Sequence, residues 1–204
     1  MIPDTLFVQE LFRNMGRISF PIFGFMVIYS SMYFTKNIEK FLLRLFVFGI
    51  LTQPFAMYFT YYYFSALNIM FTLFSGVGFV YLQEKQINTL LKYILFSFVF
   101  LLSLFSDYSL FGFLYMVMVY FYLKKQNVHY ILGVVFFSFL MEQNFSIYSS
   151  FVSVLTVLLL VFCVEKNYIK NIKNKKNRKI KNKYLFYLLY PLQFLLIKYL
   201  VTIV

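Results

Sequence analysis

The chain has 204 residues, of which 62% are hydrophobic and 13% charged. Ordinary globular chains are about 45–50% apolar and about 25% charged, so a soluble domain of this length has too little polar sequence to cover its apolar surface. One cysteine (Cys163) and one histidine (His129) exclude an intramolecular disulfide, a cysteine-based metal site and a histidine-rich metal cluster, so no metal is expected.

The formal charge of +12 is local: nine basic residues lie between Lys166 and Lys183, and the remainder carries about +3. The stretch from Met1 to Arg17 contains Asp4, Glu10, Arg13 and Arg17 and lacks a short apolar core with a small-residue cleavage site. It does not read as a signal peptide.

A membrane span needs about 20 apolar residues. In chain order the segments 18–35, 41–60, 67–82, 90–106, 108–123, 129–147, 150–165 and 184–203 meet or approach that length. The third, fifth and seventh are short. Between them the cations alternate. Lys36, Lys40 and Arg44 follow the first segment, Lys85 and Lys92 the third, Lys124 and Lys125 the fifth, and the Lys166–Lys183 run the seventh. The connections 61–66, 107 and 148–149 contain no Lys or Arg.

Alternation of this kind is expected when every segment crosses, with the basic loops cytoplasmic. The expectation is an all-α, polytopic transmembrane helical bundle of about eight spans, a single integral membrane domain over 1–204. Residues 166–183 form its basic cytoplasmic loop, and both termini are extracytoplasmic. That run reads best as a solvated loop that fixes topology and touches anionic lipid. A nucleic-acid patch and attraction of a polyanionic cofactor such as coenzyme A are the weaker readings, and no nucleic-acid partner is expected.

An Arg or Asp at mid-bilayer costs about 2.5–3.5 kcal/mol on insertion scales, so polar residues at membrane depth are informative. Arg13 and Arg17 open the first span at its outer end, and Pro21 is expected near its first helical turn. Gln53 and Pro54 lie in the outer half of the second span, where Pro54 frees a backbone carbonyl. Asn68 opens the third. Asp107 separates the fourth from the fifth. Glu142, Gln143 and Asn144 lie toward the outer end of the sixth, and Gln193 and Lys198 follow Pro191 in the last.

These groups gather on the half opposite the basic loops. Arg17 and Asp107 read equally as a functional cluster or as an ion pair that holds helix ends together. Lys198 is expected to snorkel to the interface, and Glu142 reads either as a pathway acid or, the slightly favoured reading, as a residue at headgroup level. His129 reads as a non-catalytic helix start and Cys163 as a small core residue. Gly76 and Gly78 read as helix-packing positions. No phosphate-binding glycine loop, Gly-x-Ser-x-Gly or His-Glu-x-x-His motif is present.

The segment Gly16-Arg17-Ile18-Ser19-Phe20-Pro21-Ile22-Phe23-Gly24-Phe25 resembles the signature of the TraX family. The likeness continues in order through Thr35-Lys36-Asn37, Phe41-Leu42-Leu43-Arg44-Leu45, Gln53-Pro54-Phe55 and Leu67-Asn68-Ile69-Met70-Phe71-Thr72-Leu73. It then takes in Asp107-Tyr108 with Gly112, and Phe186-Tyr187-Leu188-Leu189-Tyr190-Pro191-Leu192. The ordered series covers most of the chain.

The resemblance implies an inner-membrane acetyltransferase of a conjugation system, which acetylates the N-terminal amine of mature pilin with acetyl-coenzyme A as donor. The Asp-His pair that family members carry upstream of the Gly-Arg motif is not in this sequence, and the family's Tyr-Pro-Leu-His motif ends here in Gln193. Glutamine hydrogen-bonds but does not act as a base near neutral pH, where histidine titrates.

An amine that attacks a thioester needs a proton acceptor, and the tetrahedral oxyanion needs donors. Asp107 is the candidate to orient or deprotonate the amine. Arg17 and Asn68 are candidates to polarise the carbonyl, and Gln193 to add a hydrogen bond. Three other readings stand beside this one. The chain is a degenerate, non-catalytic membrane component of the conjugation machinery; or an acyltransferase for another acceptor such as a glycan; or a small transporter. Against the transporter, no charged residue sits squarely mid-span and the hydropathy shows no inverted repeat.

Overall fold

A computed structural model describes the backbone of residues 4–60, 67–141 and 147–165, and the side chains of 19–57, 67–141 and 150–165. Seven helices occupy the described residues: α1 (Asp4–Tyr33), α2 (Ile38–Thr60), α3 (Ile69–Glu84), α4 (Thr89–Leu104), α5 (Ser109–Lys125), α6 (Val128–Met141) and α7 (Ile147–Glu165). They coincide with the first seven apolar segments of the sequence. The expected last span (184–203), with Gln193 and Lys198, lies outside the described residues, as do the basic loop (166–183) and the polar trio Glu142, Gln143 and Asn144.

The first helix departs from expectation. It begins at Asp4 and runs for 30 residues, because nothing between Asp4 and Met15 breaks a helix; hydropathy marks where a segment turns apolar, not where it turns helical. Pro21 therefore lies inside α1 and not in its first turn. There it removes the N–H that would otherwise bond the Arg17 carbonyl.

α3 and α5 form the centre. Their side chains are buried around most of the circumference, including Met70, Leu73, Val77 and Val80 from α3 and Phe113, Tyr115, Met116 and Val119 from α5. Helices that are apolar all round belong in such a position. α1, α2 and α4 pack against the central pair, and α6 and α7 complete the far side. Close helix approach depends on small residues. A Cβ on Gly76 would overlap the Met116 thioether, and one on Gly78 would lie 3.0 Å from Val99 Cγ2. Both glycines are helix-packing positions, as expected from the sequence.

Cross-contacts give the helix directions. Phe20 meets Tyr108 and Tyr33 meets Leu123, so α1 and α5 run in the same sense. Glu39 meets Lys85 and Asn68 meets Gly49, so α2 runs against α3. Ser153 bonds Ser138, so α7 runs against α6. The cations after α1, α3 and α5 consequently meet at one end, while Leu67 and Asp107 lie at the other.

The outward faces are apolar: Leu43 and Leu51 of α2, Leu90 and Leu101 of α4, and Leu132 and Phe136 of α6 are all exposed. Among the described residues one helix segment, Ile38–Met57, is long and apolar enough to cross a membrane, with a mean hydropathy of 1.3 over 20 residues. Five further apolar helical stretches among the described residues are shorter, at 10–17 residues. Helix length thus establishes an all-helical bundle with one membrane-length span, and does not establish eight crossings.

Candidate functional site

At the end opposite the cations, two loops cross. Leu67 N–H donates to the Phe105 carbonyl at 2.7 Å, and Asp107 N–H donates to the Leu67 carbonyl at 2.8 Å. This short parallel bridge between Leu67 and Ser106 sets Asn68 and Asp107 side by side. Two residues far apart in sequence and both singled out by their polarity therefore share one junction.

Asn68 is buried and fully engaged. Its Oδ1 accepts from Met70 N–H at 3.0 Å and caps α3. Its Nδ2 donates to the Gly49 carbonyl at 2.8 Å and to Thr52 Oγ1 at 3.0 Å. Its backbone N–H donates to Gln53 Oε1 at 2.9 Å. One side chain thus ties the start of α3 to the second half of α2. Both amide hydrogens are engaged within the protein, so in this conformation Asn68 presents no free donor to a carbonyl.

Asp107 is the opposite case. Its carboxylate makes no hydrogen bond or ion pair among the described residues, and its side chain is exposed at the bundle end. Protein atoms nonetheless crowd its inner side, and the lost hydration raises its carboxyl pKa above the usual 3.8. The open side keeps water in reach and limits that shift. The backbone just beyond is tight: Ser109 N–H donates to the Ser106 carbonyl at 2.8 Å, and Ser109 has a φ of 46°. A left-handed conformation costs a non-glycine residue roughly 1–2 kcal/mol, and strain of this kind clusters at functional sites.

The remaining motif residues explain themselves as packing between α1 and α5. The Phe20 ring stacks on Tyr108 at 3.7 Å between centroids and 14° between planes. Tyr115 O–H donates to the Pro21 carbonyl at 2.8 Å. A Cβ at Gly24 would lie 3.2 Å from the Tyr115 ring. Gly112 has the least room of all: an added Cβ would press on Tyr108 Cβ at 2.5 Å and stand 3.2 Å from both Phe20 Cζ and Thr72 Cγ2. Gly112→Ala should therefore cost about 1–3 kcal/mol through overpacking and push Tyr108 off Phe20. Thermal unfolding of the purified variant measures this, and an unchanged midpoint would show that the seam yields freely.

Arg17 lies in α1 three residues before Phe20, so helical register sets its Cα on the Phe20 face, one turn farther from the basic end. Its side chain lies outside the described residues, as does all of Gln193. Asn68 and Asp107 are thus brought together, and the backbone of Arg17 belongs to the helix face that packs beside them.

The basic end carries a pattern that sequence reasoning missed. Tyr81 and Lys85 lie four residues apart at the end of α3, and Tyr120 and Lys124 four apart at the end of α5. Each pair receives a glutamate from a neighbouring helix. Glu39 of α2 accepts from Tyr81 O–H at 3.0 Å and from Lys85. Glu84 of α3 accepts from Tyr120 O–H at 2.6 Å and from Lys124 at 2.9 Å.

The hydrogen bond to Glu39 raises the Lys85 pKa, and those to Tyr120 and Glu84 raise that of Lys124. The Tyr120 hydroxyl, chiefly, lowers the pKa of Glu84. These pairs are half-exposed, so salt screens them and their contribution to stability is small. Their effect is to clamp α2, α3 and α5 and to offset two of the cations. The i,i+4 spacing of Tyr and Lys was readable in the sequence; the glutamate from another helix was not.

The sequence model of the TraX family, described as "TraX protein", matches residues 5–201, nearly the whole chain. No curated protein and no solved structure gives a significant match.

Proposed function

The chain belongs to the TraX family and is a conjugation-related protein, and on that premise we propose that it is a multi-pass inner-membrane acetyltransferase. In this reading it acetylates the N-terminal amine of conjugative pilin, with acetyl-coenzyme A as donor. The observation that carries the proposal is the Asp107 carboxylate, unpartnered among the described residues and fixed by backbone bonds beside Asn68. The outward apolar faces, the membrane-length segment of α2 and the gathering of cations at one end support a chain that crosses the bilayer repeatedly, with its basic end cytoplasmic.

The amine nitrogen attacks the thioester carbonyl carbon as its proton passes to the Asp107 carboxylate. The tetrahedral oxyanion collapses, the carbon–sulfur bond breaks, and the thiolate leaves as coenzyme A and takes up a proton. Arg17 polarises the carbonyl. Asn68 contributes by holding the junction on which Asp107 sits; for it to polarise the carbonyl directly, one of its amide hydrogens must leave Gly49 or Thr52. Gln193 supplies a hydrogen bond.

Mass spectrometry of mature pilin from cells with and without this chain tests the function. The expected result is the mass of one acetyl group on the pilin N-terminus in the first case only. A second reading has one specific observation in its favour: Gln193 stands where the family motif has histidine. Identical pilin masses would support that reading, a membrane component without catalysis.

A further inference from the structure

Thr72 lies at the end of the first turn of α3 and is 0% exposed. A serine or threonine buried in a helix ordinarily satisfies its hydroxyl on a carbonyl three or four residues back. Ser31, Thr52, Ser75, Ser103, Ser138 and Thr156 all do so in this chain. Thr72 does not. Its Oγ1 is the one buried side-chain polar atom without a hydrogen-bond partner among the described residues. Such a group is costly to bury, and native structures retain few of them.

The place of this hydroxyl is specific. Asn68, at the junction with Asp107, caps α3 one turn above it, about 5.4 Å along the axis. Thr72 faces α5: its Cγ2 stands 3.2 Å from where a Cβ on Gly112 would lie, beside Phe20 Cζ and Tyr108 Cβ. Gly112 is in turn one turn into α5 from Tyr108, the residue after Asp107. The hydroxyl is therefore set beneath the Leu67–Asp107 bridge, on the seam of α1, α3 and α5. The atoms nearest that point of the seam are carbon or the Met-free edge of aromatic rings, and a buried water, which needs polar partners, is poorly held there. What the proposed site lacks is a donor. Asn68 has both amide hydrogens committed to Gly49 and Thr52, whereas Thr72 has a hydrogen with no acceptor. A reacting carbon between base and donor needs a hydrogen bond of about 2.8 Å on each side, so a carboxylate and a hydroxyl about one turn apart serve it together. α3 also turns its N-terminal end toward this junction, and the positive end of a helix dipole favours developing negative charge.

We propose that the Thr72 hydroxyl donates to the carbonyl oxygen of the thioester and steadies the oxyanion as the amine held by Asp107 attacks. The inference rests on the acetyltransferase reading above and gives that reaction a donor that Asn68 does not supply. Thr72 keeps its proton throughout. Charge gathers on the oxygen as the carbon–nitrogen bond forms; the carbonyl re-forms as the carbon–sulfur bond breaks, and the charge leaves on sulfur. The cover over the hydroxyl is the Phe20–Tyr108 stack. Phe20 is buried and Tyr108 only partly so, so Tyr108 is the ring that swings out to admit the acyl group.

The test pairs thermal unfolding with steady-state kinetics of the purified full chain in detergent, supplied with acetyl-coenzyme A and a peptide that carries the pilin N-terminus. Thr72→Val keeps the shape and removes the hydroxyl. Its kcat should fall about 10²-fold or more, the loss typical of one oxyanion donor, with KM for the peptide unchanged. Its melting midpoint should match or exceed that of wild type, because no internal hydrogen bond is lost. Thr72→Ser keeps a hydroxyl and should retain most of kcat. An unchanged kcat in Thr72→Val, or a Thr72→Ser chain as slow as Thr72→Val, would overturn the inference and leave the acetyltransferase reading in place. A lowered melting midpoint in Thr72→Val would do the same, since the hydroxyl would then have a structural partner. No acetylation by the wild-type chain would overturn the reading itself, and this inference with it.

Discussion

Asp107→Asn abolishes pilin acetylation, by on the order of 10²–10⁴-fold if its part is that of a general base, and leaves the helical bundle folded. The two halves of that expectation have separate causes. Asparagine keeps the shape and the backbone bond to the Leu67 carbonyl, so the junction survives. It cannot accept the amine's proton, so the reaction does not.

The stability effect has a definite sign. Crowding raises the carboxyl pKa in the folded chain above 3.8, so at neutral pH the folded state holds a charge it would rather not hold. A neutral amide in place of the carboxylate removes that cost. The variant should therefore melt at the same temperature as wild type or somewhat higher at neutral pH. The difference should close as pH falls through the raised pKa, where the wild-type carboxyl becomes neutral as well. Acetylation in the wild-type chain should fail over that same acidic range, above where a fully hydrated aspartate would lose its charge. Retained acetylation removes Asp107 from the chemistry. Loss of acetylation accompanied by unfolding makes it structural.

The sequence spoke most clearly where the physics is local. Alternating cations between apolar segments anticipated that Lys85 and Lys124 would lie at one end of the bundle and Asp107 at the other. Isolated glycines inside an apolar helix anticipated close contacts, as at Gly76 against Met116.

Two kinds of feature were out of reach. The true start of α1 was missed because Asp4, Glu10, Arg13 and Arg17 mark the end of an apolar stretch without ending a helix. The partners of Asn68 were missed because Gly49 and Thr52 lie 19 and 16 residues away on another helix, and no spacing rule joins them. A polar residue at a helix start looks the same in sequence whether it waits for substrate or holds two helices together. Only its partners decide.

Those partners make Asn68→Ala the sharpest test of the site's division of labour. Alanine removes the cap on Met70 N–H, for which about 0.5–2 kcal/mol is typical. It also leaves the Gly49 carbonyl without the Nδ2 hydrogen it accepts at 2.8 Å, and an unsatisfied buried acceptor costs about 1–3 kcal/mol. The combined loss should be about 2–4 kcal/mol, large for a single substitution. Denaturation of the purified chain measures it.

Activity should fall because the Leu67–Asp107 bridge loosens, so acetylation and folded fraction should decline together, and lower temperature should restore both. A chain that stays as stable as wild type yet fails to acetylate would mean something different. Asn68 would then release an amide hydrogen to the substrate carbonyl during turnover, and the bonds to Gly49 and Thr52 would describe only its resting position.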